Sequence, residues 1–215
     1  MVTLDHILDK YGITLDGRYV IDIPNVGRDN MAGLFAELGF TKGAEIGVEL
    51  GLFSEVLCKA NPKLSLYCVD PWSAGAYEAN IHAVDSDQKI YDQRHIEAVA
   101  RLSPYNATII RKPSLDALND FPDESLDFVY IDANHNFPNF INDLHGWTKK
   151  VKIGGIVSGH DYAVFSYKKH NHVKRALDAY ARCYRMQPLF IIGAMEYREG
   201  TIRDKYRSWA WIRDK

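Results

Sequence analysis

Along the chain, short apolar runs rich in β-branched residues alternate with segments whose apolar positions recur at helical spacing. Five runs read as strands: Ala44 to Val48, Ser65 to Asp70, Ala107 to Arg111, Leu126 to Asp132 and Gly155 to His160. Each is strand-sized and ends beside polar or glycine residues, as expected for strands buried on both faces. Between them, Phe53, Val56 and Leu57 form one helical stripe, and Phe140, Ile141, Leu144 and Trp147 another, with Pro138 where a first turn tolerates it. Val173, Ala176, Leu177, Tyr180, Ala181 and Tyr184 extend the same spacing over three turns. The alternation predicts βαβ units and a mostly parallel sheet with helices on both faces. Leu189 to Ile192 and Ser208 to Ile212 then predict an antiparallel C-terminal hairpin closing one sheet edge.

The length, 215 residues, suits a single domain spanning 1–215, with residues 1–42 as an N-terminal helical extension. The polar stretch from Ser73 to Tyr91 breaks the rhythm at the carboxyl end of a strand and reads either as a lid or as a solvated loop. With 26 basic and 28 acidic residues, the net charge of -2 provides no field for a polyanion or an anionic membrane, so neither nucleic acid nor membrane is an expected partner. Three widely spaced cysteines, Cys58, Cys68 and Cys183, read as buried free thiols, which suits a reducing cytoplasm. No apolar run has signal-peptide or membrane-span length.

In an open parallel sheet, ligands lie outside the carboxyl ends of the strands, which directs attention to the strand endings. Glu45-Ile-Gly-Val-Glu-Leu-Gly51 is a strand entering a glycine-spaced turn. Its backbone amides suit a carboxylate, although a turn made for packing has the same appearance and the G-x-G-x-x-G of pyrophosphate binders is absent. Asp70 ends the next strand, where a carboxylate accepts both hydroxyls of a ribose. Pro71 and Trp72 follow; Trp72 is either an adenine-flanking surface or a core residue. Ser114 offers a hydroxyl at the end of Arg111-Lys-Pro-Ser114 or serves as a helix N-cap. Asp132, His135, His160 and Asp161 converge on one rim from two neighbouring strands, a set able to hold a divalent cation, act as general base, or do both.

These residues, in this order, resemble the class I S-adenosylmethionine-dependent methyltransferases, in particular the small group that includes sugar and antibiotic O-methyltransferases. The similarity spans most of the chain. It rests on Arg28-Asp-Asn before a helix, Gly43 to Gly51, Val69-Asp-Pro-Trp72, Asp127 to His135, Gly154 to Tyr162, and Ser208-Trp. The resemblance implies a Rossmann-like α/β fold with a seven-stranded sheet in the order 3-2-1-4-5-7-6, its last strand antiparallel. It implies S-adenosylmethionine as cofactor, with Glu45, Gly47 and Gly51 at the methionine end and Asp70 on the ribose. The cofactor set is then Glu45, Gly47, Glu49, Gly51, Asp70, Pro71, Trp72 and Ser114. Metal-dependent relatives place ligands where Asp132, His160 and Asp161 stand, although His160 departs from their acidic or amide pattern.

A hydroxyl is a poor nucleophile until it is deprotonated or polarised, so activation must act on the acceptor. Asp132, His160 and Asp161 around Mg²⁺ or Mn²⁺, with His135 taking the proton, is one scheme; a metal-free version makes His135 or His160 the base, oriented by Asp132. The catalytic set is Asp132, His135 and His160, and the expected partner is a small-molecule acceptor. Alternative readings are a nucleotide-dependent oxidoreductase and an inactive binding protein on the same fold.

Overall fold

The computed structural model describes residues 2–76, 87–164, 171–204 and 206–214. Its elements are α1 (Thr3–Tyr11), β1 (Val20–Ile23), α2 (Arg28–Glu37), β2 (Lys42–Ile46), α3 (Leu52–Ala60), β3 (Ser65–Val69), α4 (Gln88–Leu102), β4 (Ala107–Ile110), α5 (Ser114–Ala117), β5 (Leu126–Ile131), α6 (Phe137–Lys150), β6 (Val151–Gly159), α7 (Val173–Tyr184), β7 (Leu189–Ile192) and β8 (Ser208–Ile212). Eight strands form one sheet in the order β1-β7-β8-β6-β5-β2-β3-β4. All pair in parallel except β8, which is antiparallel to both β6 and β7.

With β1 set aside, the order is the expected 3-2-1-4-5-7-6. Two expectations are corrected. Residues 1–42 are not purely helical, because Val20 to Ile23 pair in register with Leu189 to Ile192 and add an eighth strand. The hairpin therefore does not close the edge: β8 is inserted beside β6, and β1 is the edge strand. β1 is four residues long and exposes Asp22 in mid-strand, a pattern too short to stand out in sequence.

Strand pleating sends alternate residues to opposite faces. Leu66, Cys68, Phe128, Tyr130, Phe190 and Ile192 pack with Ile7, Met31, Phe35, Phe53, Leu57 and Leu102 from α1 to α4. Ile46, Val69, Val129, Ile131, Leu189 and Ile191 pack on the other face with Phe140, Leu144, Trp147, Val173 and Leu177 from α6 and α7. Of the apolar stripe on α7, Tyr184 is exposed, its ring tilted against that of Tyr180 with centroids 4.4 Å apart. Cys58 and Cys68 are buried free thiols, but Cys183 is exposed because it falls off that stripe. No helix among the described residues is long and apolar enough to cross a membrane.

Candidate active site

The carboxyl ends of β2, β3 and β5 open into one cavity of about 410 Å³. Its wall includes Glu45, Gly47 and Glu49 from the glycine turn, Asp70 and Pro71 after β3, and Asp132 and His135 after β5. Three residues that the sequence reading left without a role also face it: Arg28 at the start of α2, and Tyr91 and Arg94 on α4. Arg28 stood within a recognised motif but carried no chemistry there, while α4 exposes most of its surface and buries only Ala98 and Leu102, so no apolar stripe announced it.

Gly47 is where the two central strands meet. Its φ of +91° is left-handed, and a side chain would collide with the backbone of Asp132 and Ala133. The close approach lets Asp132 N donate to Ile46 O at 2.7 Å, which fixes the end of β5 beside the turn. Gly51 (φ +72°) starts α3 against Leu102 and does not itself line the cavity. Glu49, Trp72 and Asp161 are left-handed without being glycine, each just past a strand end at this rim. Such conformations persist only where surrounding bonds enforce them.

Asp70 supplies one of those enforcing sets. Its Oδ2 accepts from Val48 N and Glu49 N, both at 3.0 Å, and its Oδ1 accepts from Trp72 N at 2.7 Å. Burial raises its pKa while the three amides counteract. A carboxylate offers about four acceptor sites. With three taken, Asp70 has room for one ribose hydroxyl rather than the two expected. Val48 N and Glu49 N are correspondingly unavailable to a ligand carboxylate.

Two members of the cofactor set stand elsewhere. Trp72 is buried in the core, its Nε1 donating to Glu49 O at 2.8 Å and its ring 4.8 Å from that of His95. It holds the turn and does not flank the cavity. Ser114 is buried too, but as the first residue of α5 rather than as its cap. Its hydroxyl donates to Asp143 Oδ1 and accepts from Trp147 Nε1, away from the cavity wall. Glu45 does reach the wall, hydrogen-bonded to Ser54; burial, partly offset by Ser54, pushes its pKa up to about 8.

At the other end of the cavity, Asp132, His135 and Asp161 each bring a ligand atom within 4.8 Å of the others. His135 Nε2 lies 2.9 Å from Asp161 Oδ2 and 3.6 Å from Asp132 Oδ1, yet it is buried and lies in line with neither for a hydrogen bond. Burial opposes charge on this ring, but the two carboxylates outweigh it and push the pKa up to about 10. Asp161 is 8% exposed, so solvent screens this attraction little. Burial works against its charge, but His135 and His160 hold its pKa well below the usual range.

His160 is not one of the three. Its Nδ1 stays 3.8 Å and 3.7 Å from Asp132 and Asp161, while Nε2 turns to Asp204 at 3.3 Å. The set expected for a cation was Asp132, His160 and Asp161; the geometry exchanges His160 for His135. Asp161 adopts a left-handed φ of +64°, and its Oδ2 lies nearer to His135 than to His160. Asp204, from the β7–β8 connection, was not legible in sequence because only the inserted β8 brings it to this rim.

The expected lid from Ser73 to Tyr91 falls largely on residues 77–86, which lie outside the described residues. Of its flanks, Ser73 and Ala74 line the cavity, and Gln88 to Tyr91 form the first turn of α4. Gln88 ties the two together, accepting from Ala74 N and donating to Trp72 O.

A largely parallel sheet with this order and one reversed strand, opening on an acid-lined cavity at the central strand ends, defines a class I methyltransferase fold. A family model described as a methyltransferase domain matches residues 44–162. That is more than half of the chain, which therefore belongs to this family. Solved structures with the same fold include an O-methyltransferase from Bacillus cereus in complex with SAH (13% identity, 98% of this chain and 90% of that chain covered, TM-score 0.58). Another is the O-methyltransferase TomG from Streptomyces achromogenes, involved in tomaymycin synthesis and solved with SAM (16% identity, 86% and 79% covered, TM-score 0.56). Among curated proteins, the chain is 24% identical over 124 residues to the uncharacterized protein y4gI of Sinorhizobium fredii. The match takes in 57% of this chain and only 13% of that much longer protein.

Proposed function

We propose that this chain is an S-adenosylmethionine-dependent O-methyltransferase acting on a hydroxyl of a small molecule or sugar, assisted by Mg²⁺ or Mn²⁺. One observation carries the reading: a single cavity joins the acid suited to a ribose, Asp70, to the Asp132–His135 pair. The family match favours methyl transfer over hydride transfer.

The residues present fit both groups. Asn134 Nδ2 is a buried donor without a partner in the cavity wall, and His135 Nε2 is a buried nitrogen facing two carboxylates without an in-line bond. Two oxygen donors and one imidazole suit Mn²⁺ at least as well as Mg²⁺. When bound, S-adenosylmethionine supplies an electrophilic methyl group and the cation supplies the charge that acidifies an acceptor hydroxyl.

The chain contributes position and charge. Asp70 orients the ribose through its remaining acceptor site, and Phe53 and Leu52 line the cavity with apolar surface. Asp132, His135 and Asp161 would hold the cation at the β5 end. The two carboxylates favour the protonated His135 ring in the free site, so a cation bound there would displace that proton before Nε2 could ligate it. Burial opposes charge on His160, but Asp161 and Asp204 outweigh it and push its pKa up to about 9. Calorimetric titration tests the assignment. S-adenosylhomocysteine binds and NAD does not; tight NAD binding with no response to S-adenosylhomocysteine overturns it.

A further inference from the structure

The glycine turn has few amides left for an anion, because Val48 N and Glu49 N serve Asp70 and Gly51 N donates to Val48 O at 2.8 Å. The methionine end of the donor is an α-amino acid, with one carboxylate and one ammonium. A buried site for it needs a cation and an anion side by side. Among the described residues, the arginines in the cavity wall are Arg28 and Arg94.

They stand on opposite sides. Arg94 is carried by α4 and pairs with Glu49 at 3.6 Å, on the side of Asp70 and β3. Arg28 is on the β5 side, its guanidinium 4.9 Å over the Phe53 ring and its Nη1 3.5 Å from Asp132 Oδ2, the long limit of a hydrogen bond. Stacking on an aromatic face fixes the plane of the guanidinium and leaves its edge for a two-point contact. Glu45 shares this wall and is close enough to act on Arg28 electrostatically; burial holds its carboxyl toward the protonated form in the free site, and an ammonium arriving beside it favours the anion.

Asp70 follows β3 and Arg28 lies on the β5 side of β2, so a ligand with its ribose on Asp70 would reach Arg28 by extending across the end of β2. We infer that Arg28 anchors the α-carboxylate of the bound methyl donor while Glu45 faces its ammonium. This rests on the methyl-donor reading above. Arg28 leaves its weak contact with Asp132 to make a bidentate one with the donor, and Phe53 keeps the guanidinium in place.

The test compares S-adenosylhomocysteine with 5′-methylthioadenosine, which keeps the nucleoside and sulfur but lacks the amino-acid tail, by calorimetry on the full chain. Wild type binds S-adenosylhomocysteine more tightly. Arg28→Met weakens S-adenosylhomocysteine by about 10–100-fold, the loss of a hydrogen-bonded ion pair, and leaves 5′-methylthioadenosine within about twofold. Retained 5′-methylthioadenosine binding also shows that the cavity is intact. If Arg28→Met does not fold, Arg28→Lys replaces it, with a smaller loss confined to S-adenosylhomocysteine because an ammonium makes no two-point contact. Equal weakening of both ligands, or of neither, overturns the role of Arg28. Wild type that binds neither ligand overturns the methyl-donor reading itself, and this inference with it.

Discussion

His135 Nε2 lies 2.9 Å from Asp161 Oδ2, although one residue follows β5 and the other follows β6. The two strands pair in parallel with Ile131 opposite Gly159, so their ends lie side by side. The pair, with Asp132, is where a cation should act. Thorough chelation should abolish turnover, and Mn²⁺ or Mg²⁺ should restore it. Asp132→Ala, Asp161→Ala and His135→Ala should each remove most Mn²⁺ binding by calorimetry. His160→Ala should weaken it only about tenfold, as for a residue behind the ligands. Full turnover by chelated enzyme would falsify the cation site.

Asp70 serves the fold and the ligand at once, since it organises three backbone amides and retains one acceptor site. Asp70→Ala should weaken S-adenosylhomocysteine by about 1–3 kcal/mol. It should also lower the melting temperature of the free protein, because Val48 and Glu49 lose their shared acceptor. A variant with normal melting and normal affinity would remove Asp70 from both roles.

Gly47 and Gly154 are both left-handed, at φ +91° and +81°, but only Gly47 has backbone in the way of a side chain. Urea unfolding separates the two terms. Gly154→Ala should cost about 1–2 kcal/mol of conformational strain, and Gly47→Ala about 2–4 kcal/mol once overpacking against Asp132 is added. Equal losses would mean that the backbone of Asp132 and Ala133 does not press on Gly47.

Asp143 is buried on α6, with Oδ1 bonded to Ser114 and Oδ2 without a partner. Burial pushes its pKa up to about 7 from 3.8, with Ser114 partly offsetting. The folded state therefore holds a proton that the unfolded chain releases, and stability should fall as pH rises from about 4 to about 7, then level off. The slope from this one group is on the order of 1 kcal/mol per pH unit. Asp143→Asn has no proton to lose, so its stability relative to wild type should climb across the same window. Urea midpoints collected every half pH unit would expose a constant difference, which would rule out a neutral buried Asp143.

How much was legible follows from the range over which each feature is decided. The strands from Lys42 to Gly159 and the helices carrying Phe140 and Val173 are written as local periodicity, because each must bury one face or both whatever its neighbours do. The strand-end residues Glu45, Asp70, Asp132 and His135 were legible for a related reason: in a parallel sheet the carboxyl ends of neighbouring strands share one rim. β1 was not legible, since four residues with a charge in the middle become a strand only when β7 supplies the partner. Tertiary structure alone decided that Trp72 and Ser114 turn inward, because a side chain just past a strand end faces the cavity or the core according to backbone torsion and the acceptors within reach. It also decided that His135 rather than His160 joins Asp132 and Asp161. Sequence brought four ionisable groups to one rim; only the packing of distant segments decided which three of them meet, with His160 engaged by Asp204 and the Asp161 carboxylate nearest His135.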